Sequence, residues 1–91
     1  MHPDGRLLVA DKANHRIRAV AVGTGAVTTY AGTGAEGDTD GPALGGATFR
    51  YPRSVAVDVA GRVVVGEMAA DWMSLRIRII DPSSHPSTVR T

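Results

Sequence analysis

The sequence predicts an all-β repeat fold built from short antiparallel strands. Three observations carry that expectation. The stretch Gly5 to Val20, GRLLVADKANHRIRAV, has an echo at Gly61 to Ile80, GRVVVGEMAADWMSLRIRII. The apolar residues fall in short runs rich in Val and Ile that alternate with a period of two, the pattern of strands. No segment shows a convincing 3.6-residue period; only Met68 to Leu75 has room for a helical turn, and it reads better as a loop.

The echo can be followed residue by residue. Gly5-Arg6 matches Gly61-Arg62, Leu7-Leu8-Val9 matches Val63-Val64-Val65, and Asp11 matches Glu67 in charge. Arg16-Ile17-Arg18 then matches Arg76-Ile77-Arg78. The offset is 56 residues at first (5 to 61) and 60 later (16 to 76), so the second copy carries four extra residues within Met68 to Ser74. A strand pair cannot absorb an insertion without slipping register, so these residues belong in a loop. Repeats of roughly 40–50 residues are typical of propellers and related arrays, and the excess length here falls in the Gly-rich segment Gly32 to Thr48.

In chain order, residues 6–11 form the first strand. Leu7 and Val9 point one way and Leu8 and Ala10 the other, which suits a strand covered on both sides. Lys12 to Asn14 turns, and residues 15–22 make the second strand, with Ile17, Ala19 and Ala21 on one face. Gly23-Thr24-Gly25 is a tight hairpin loop, where glycine reaches positive φ without steric cost. Residues 26–31 form a third strand rich in β-formers (Val27, Thr28, Thr29, Tyr30). Gly32 to Thr48 holds six glycines and few large apolar groups, and is expected to be a long crossing loop with no regular element. Phe49, Tyr51 and Pro52 re-anchor it. Strands follow at 54–59, 62–68 and 75–80, with Ala60-Gly61 turning between the first two. Asp81 to Pro86 is a turn-rich break, and residues 87–91 begin one further strand.

Ala10 to Arg18, with its Asp-Lys-Ala-Asn-His-Arg-Ile core, resembles the signature of the NHL repeat family. So does Tyr51-Pro52-Arg53-Ser54-Val55-Ala56-Val57-Asp58, followed by Gly61 and a Val run. The resemblance covers residues 4 to 81. The first copy is a close match; the second has Ser74-Leu75 in place of Asn14-His15, and Gly66-Glu67 in place of Ala10-Asp11. The resemblance implies four-stranded antiparallel β-propeller blades, so that the chain supplies about 1.5–2 blades of an incomplete NHL-type propeller, since such rings close with about four to eight blades. On that reading residues 1–31 are a partial blade of three strands, 32–53 a Gly-rich inter-blade loop, and 54–91 a second blade of three to four strands. Gly5, Asp11, Asn14, Arg16, Ile17, Pro52, Asp58, Gly61, Arg76 and Ile77 are the structural repeat residues. A segment needed in every blade is structural, so the Asn14-His15 pair is read as a blade component rather than a catalytic group.

Composition bounds the function classes. Ten Lys+Arg against nine Asp+Glu give a net charge of +1, which argues against a dedicated nucleic-acid or membrane-surface binder. Cysteine is absent, which removes disulfides, thiolate metal sites and redox nucleophiles, and allows a reducing compartment such as the cytoplasm without requiring it. No apolar run reaches the roughly 18 residues of a transmembrane helix, and Met1 to Gly5 lacks the features of a signal peptide, so the compartment stays unassigned. Asp38-Thr39-Asp40-Gly41 opens like a calcium loop, but Pro42 follows and the closing Glu is missing. Gly32-Thr33-Gly34 lacks the Lys-Ser/Thr ending of a phosphate loop. Arg16, Arg18, Arg76 and Arg78 form two i, i+2 pairs, read first as inter-blade charges and second as a basic stripe. No metal, cofactor or catalytic site is expected.

The expected function is that of a non-catalytic interaction module, a section of an NHL-type propeller that holds protein through one face of the disc. RNA ranks behind protein as a partner. Lys12, Asn14, His15 and Trp72 are the candidate contacts, and neighbouring blades, from a longer chain or other copies, are the structural partners. The competing class is a fragment of a propeller enzyme, since gluconolactonase-like and peptide-amidating-lyase-like propellers resemble NHL blades and hold metal with ligands from several blades. Incompleteness has a further consequence: Leu7, Leu8, Val9, Val55, Val57, Val63, Val64 and Val65 are expected to lack packing partners.

Overall fold

The computed structural model describes residues 5–69, 74–81 and 87–91. Among these residues eight strands form two antiparallel sheets. β1 (Arg6–Asp11), β2 (Arg16–Ala21) and β3 (Val27–Ala31) make a meander in chain order, with a single 3-10 turn over Lys12–Asn14. β4 (Gly41–Pro42), β5 (Ser54–Val57), β6 (Val63–Met68), β7 (Leu75–Asp81) and β8 (Thr88–Arg90) make the second sheet, in the order β4-β8-β7-β6-β5. The protein is all-β, and no α-helix occurs among the described residues.

Most strands lie within a residue or two of where the alternation places them. The strand expected over 54–59 stops earlier, at Val57, because Asp58 captures the turn. Its Oδ1 accepts the amide hydrogens of Ala60 at 2.9 Å and Arg62 at 2.8 Å, and Oδ2 accepts Arg62 Nε at 2.8 Å. A short polar side chain that bonds its own backbone offers the chain an alternative to the ladder. Gly61 follows at φ +85°, and Gly5, its counterpart in the first copy, has φ +89°. Both positions sit in the left-handed region that glycine occupies at little cost.

The two copies have the same pairing register. In the first sheet Val9 pairs Arg18 and Asp11 pairs Arg16; in the second Val65 pairs Arg78 and Glu67 pairs Arg76. The four additional residues of the second copy are accommodated between β6 and β7, outside the shared ladder.

Each sheet therefore has two equivalent faces. The forward face carries Leu8, Ala10, Ile17 and Ala19 in the first sheet, and Val64, Gly66, Ile77 and Ile79 in the second. The rear face carries Leu7, Val9, Asp11, Arg16, Arg18 and Val20 in the first, and Val63, Val65, Glu67, Arg76, Arg78 and Ile80 in the second. The core forms between the forward face of the first sheet and the rear face of the second. Leu8, Ile17, Ala19 and Ala31 join Val63, Val65, Ile80 and Val89 in one buried cluster, with Val55 and Val57 packed against it. β1 and β5 adjoin across the gap.

The Gly-rich segment departs from the expectation of a structureless crossing. Gly41–Pro42 pairs β8 as a short edge strand, and Ala43, Ala47 and Phe49 are buried in the core. Backbone bonds fold the segment back on itself just past β3: Gly32 N–H to Ala43 O at 2.8 Å and Thr33 N–H to Ala47 O at 3.2 Å. A Cβ on Gly32 would lie 2.8 Å from the His15 carbonyl and 3.0 Å from the Phe49 ring, so the close approach requires glycine.

The apolar residues expected to lack partners divide by face. Leu7 and Val9, at 45% and 40% exposure, are open. Leu8, Val63 and Val65 are instead buried, and Val55, Val57 and Val64 are half-buried. The two sheets cover one inner face each, so only the outward faces stay bare.

Candidate functional site: the loop edge where the sheets meet

The turn after β1 and the lead-in to β5 come together at one edge of the molecule. Asn14 donates from Nδ2 to both carboxylate oxygens of Asp11, at 3.0 Å each. Arg18 Nε donates to Asp11 Oδ2 at 3.1 Å, and Arg18 Nη1 to Thr29 Oγ1 at 2.7 Å. The hydrogen bond from Asn14, followed by the one from Arg18, holds the Asp11 carboxyl below the ordinary aspartate range.

His15 closes the turn in the left-handed region at φ 54°. Its Nδ1 accepts the Tyr51 amide hydrogen at 3.1 Å, and the two rings meet edge-on with centroids 4.4 Å apart. Tyr51 has φ 44°, which is costly for an aromatic residue and persists only where the surroundings over-determine it. Pro52 behind it is fully buried, and Arg53 N–H donates to Gly66 O at 2.7 Å. A rigid link thus joins the first-copy hairpin to the second copy. In the second copy Leu75 stands at the position of His15 and is exposed, so the link exists once among the described residues.

Beside this link lies an open cleft of about 310 Å³ lined by Lys12, Tyr51, Arg53 and Met68. Lys12 and Arg53 are exposed cations; Tyr51 and Met68 are half-buried and supply an apolar floor. Arg53 Nη1 lies 3.8 Å from Met68 Sδ. The combination suits an anionic group carried on an apolar body.

The four alternating arginines do not form a free stripe. Arg78 is fully buried: Nη1 donates to Glu67 Oε1 at 2.6 Å and Thr48 O at 2.9 Å, and Nη2 to Thr39 O at 3.0 Å and Asp40 Oδ1 at 2.9 Å. Its guanidinium carbon stands 5.1 Å from the Phe49 ring centroid. Glu67, also fully buried, further accepts the Arg50 amide at 2.6 Å and Arg76 Nε at 3.4 Å. Arg76 Nη1 reaches Asp38 at 3.1 Å, and Arg16 Nη2 donates to Thr33 O at 2.9 Å. Glu36 pairs with Arg50 across the same segment. Burial works against the charge of Asp40, but hydrogen bonds from the Thr91 hydroxyl and amide and from Arg78 outweigh it and lower its pKa. Asp38 and Asp40, the start of the calcium-like pattern, are thus matched by guanidinium groups. No group of three or more His, Asp or Glu side chains gathers in metal-holding geometry among the described residues.

Of the candidate contacts, Lys12 lines the cleft, while Asn14 and His15 are engaged in the turn and link behind it. Trp72 lies outside the described residues. Among the repeat residues, Ile17 is fully buried and its counterpart Ile77 is 54% exposed. Tyr51, Arg53 and Met68 were not singled out as contacts in the sequence. The usable signal is their adjacency to Pro52, at the entry to the second copy, and to the loop inserted within it.

No known protein-family profile matches the chain. Over 78 residues it is 37% identical to the protein Suppressor of Quenching 1, chloroplastic, of Arabidopsis thaliana. The match takes in 86% of this chain and 7% of that protein, so the chain spans only a small part of its relative's length.

Proposed function

We propose that the chain is a non-catalytic interaction module, two successive units of an NHL-type propeller, that holds an acidic protein segment at the loop edge. The observation carrying this reading is the cleft itself: two exposed cations, Lys12 and Arg53, over the apolar floor of Tyr51 and Met68. Peptide-binding edges combine a few oriented charges with apolar contact in this way. The shared register of the two copies, their alternating strands and the packing of one sheet's face on the other's support the blade reading. Rigid backing favours binding at this edge, because a preformed surface loses little entropy when a ligand docks.

Fluorescence titration with acidic peptides carrying an aromatic residue tests the proposal. Lys12→Ala and Arg53→Ala should each weaken binding several-fold at low salt, and added salt should weaken the wild type similarly. Equal affinity for a neutral peptide, or indifference to both substitutions, would exclude the cleft. Preferential binding of single-stranded RNA would move the reading to the nucleic-acid class.

A further inference from the structure

The two sheets present to solvent the faces that complement each other inside the core. Within the chain, a forward face packs on a rear face. Because the register is the same in both copies, the outward faces are the same two surfaces, each missing its mate. The open rear face of the first sheet carries Leu7, Val9 and Val20, with Val27 beside them on β3. Leu7 is 45% exposed, whereas Val63, its counterpart, is fully buried. The open forward face of the second sheet carries Leu75, Ile77 and Ile79; Ile77 is 54% exposed where Ile17 is fully buried.

We propose that these faces dock a second copy of this chain, head to tail: the forward face of one copy's second sheet seats on the rear face of the next copy's first sheet. The intrachain interface is the template: Leu7, Val9 and Val20 correspond to Val63, Val65 and Ile80, and Ile77 to Ile17, all four of which are packed in that core. On the rear face Arg18 is paired with Asp11 and bonded to Thr29, so covering it strands no lone cation, and Arg16 donates to the Thr33 carbonyl. The interface is heterologous, because the two surfaces differ, and association is therefore directional, giving rings or open chains. The inference is independent of the cleft: it concerns the sheet faces, and its test involves none of the cleft residues.

Sedimentation velocity across a concentration series tests it on the 91-residue chain. The wild type should show a concentration-dependent series of species larger than the monomer. Leu7→Glu spoils only the rear face and Ile77→Glu only the forward face, so each alone should be monomeric. Mixed in equal amounts they should form a dimer and nothing larger, because each supplies the face the other lacks. Circular dichroism checks that both keep their β signal; if either does not, Val9→Gln and Leu75→Gln replace them on the same faces. A wild type that stays monomeric throughout overturns the proposal and assigns the faces to other repeats of a longer polypeptide. A mixture that yields no dimer overturns the head-to-tail geometry, as does a single variant that still dimerises.

Discussion

The hairpin β1–β2 and the hairpin β6–β7 are one design in two environments. Both place an acid at the end of the first strand and an arginine on the second, and both close an ion pair: Asp11 with Arg18 at 3.1 Å, Glu67 with Arg78 at 2.6 Å. In the first copy the two side chains are 26% and 27% exposed; in the second both are fully buried. The difference comes from what lies on the rear face. The first copy's pair is left open towards water. The second copy's is covered by the segment 36–50, which lends carbonyls, Asp40 and the Phe49 ring to it. One motif thus serves as a surface pair in one place and as an organising centre in the other. What decides its energetic weight is desolvation rather than sequence.

The largest expected effect follows directly. Arg78→Ala takes from the buried Glu67 its closest cation, leaving the longer contact to Arg76, and should destabilise the chain by about 3 kcal/mol. Arg18→Ala should cost no more than about 1 kcal/mol, since an exposed pair contributes little. Urea midpoints read by circular dichroism compare the two, and equal costs would remove the distinction. Phe49→Ala comes next, at about 3 kcal/mol, because it leaves a cavity between the sheets and bares the Arg78 guanidinium.

His15→Ala tests the link that the second copy lacks. It removes the acceptor of the half-buried Tyr51 amide and should cost about 1 kcal/mol. Leu75→Ala, at the equivalent position, should change stability by less than about 0.5 kcal/mol when measured on monomer. The smallest effect is in acid. Asp11, Asp40 and Asp58 all have folded-state pKa values below the ordinary aspartate value. A depressed folded pKa stabilises the fold above the unfolded value of about 3.9, and that stability is lost as pH falls through the folded value. Stability should therefore decline below about pH 4. Asp11→Asn should flatten the decline slightly, and a decline that is unaltered in this variant would show that the Asn14–Arg18 cradle contributes nothing.

The strands were legible because their signal is local. Val63-Val64-Val65 and Arg76-Ile77-Arg78-Ile79-Ile80 announce themselves by alternation and β-branching, and the repeat offset located the insertion. The Gly-rich segment was not legible, because what orders it is remote. Thr39, Asp40 and Thr48 find their partner in Arg78, 30 to 39 positions away. Nor does a strand reading RIRII reveal which of its arginines will be dry: Arg76 and Arg78 look alike in sequence, and only the second is fully buried. His15 and Tyr51 illustrate the same limit, since their hydrogen bond spans 36 positions. Asp11 matching Glu67 was the one sequence cue to the buried centre, and it gave the position of the charge without its environment.

The carboxylate of Asp40 binds Arg78 on one side and the amide and hydroxyl of Thr91 on the other. This arrangement has a consequence in time. The meander β1–β3 needs only neighbours in sequence and is available as soon as residue 31 has been made. The segment 32–48 leaves the ribosome soon afterwards, yet its anchors arrive 30 to 39 residues later with Arg78 of β7 and 51 later with Thr91. Non-local contacts of this kind close late. The middle of the chain should therefore be the last part to become ordered, and pulse-labelled hydrogen exchange during refolding would show the amides of Thr39 and Thr91 gaining protection after those of β1 and β2. Simultaneous protection would mean instead that the two sheets form in one concerted step.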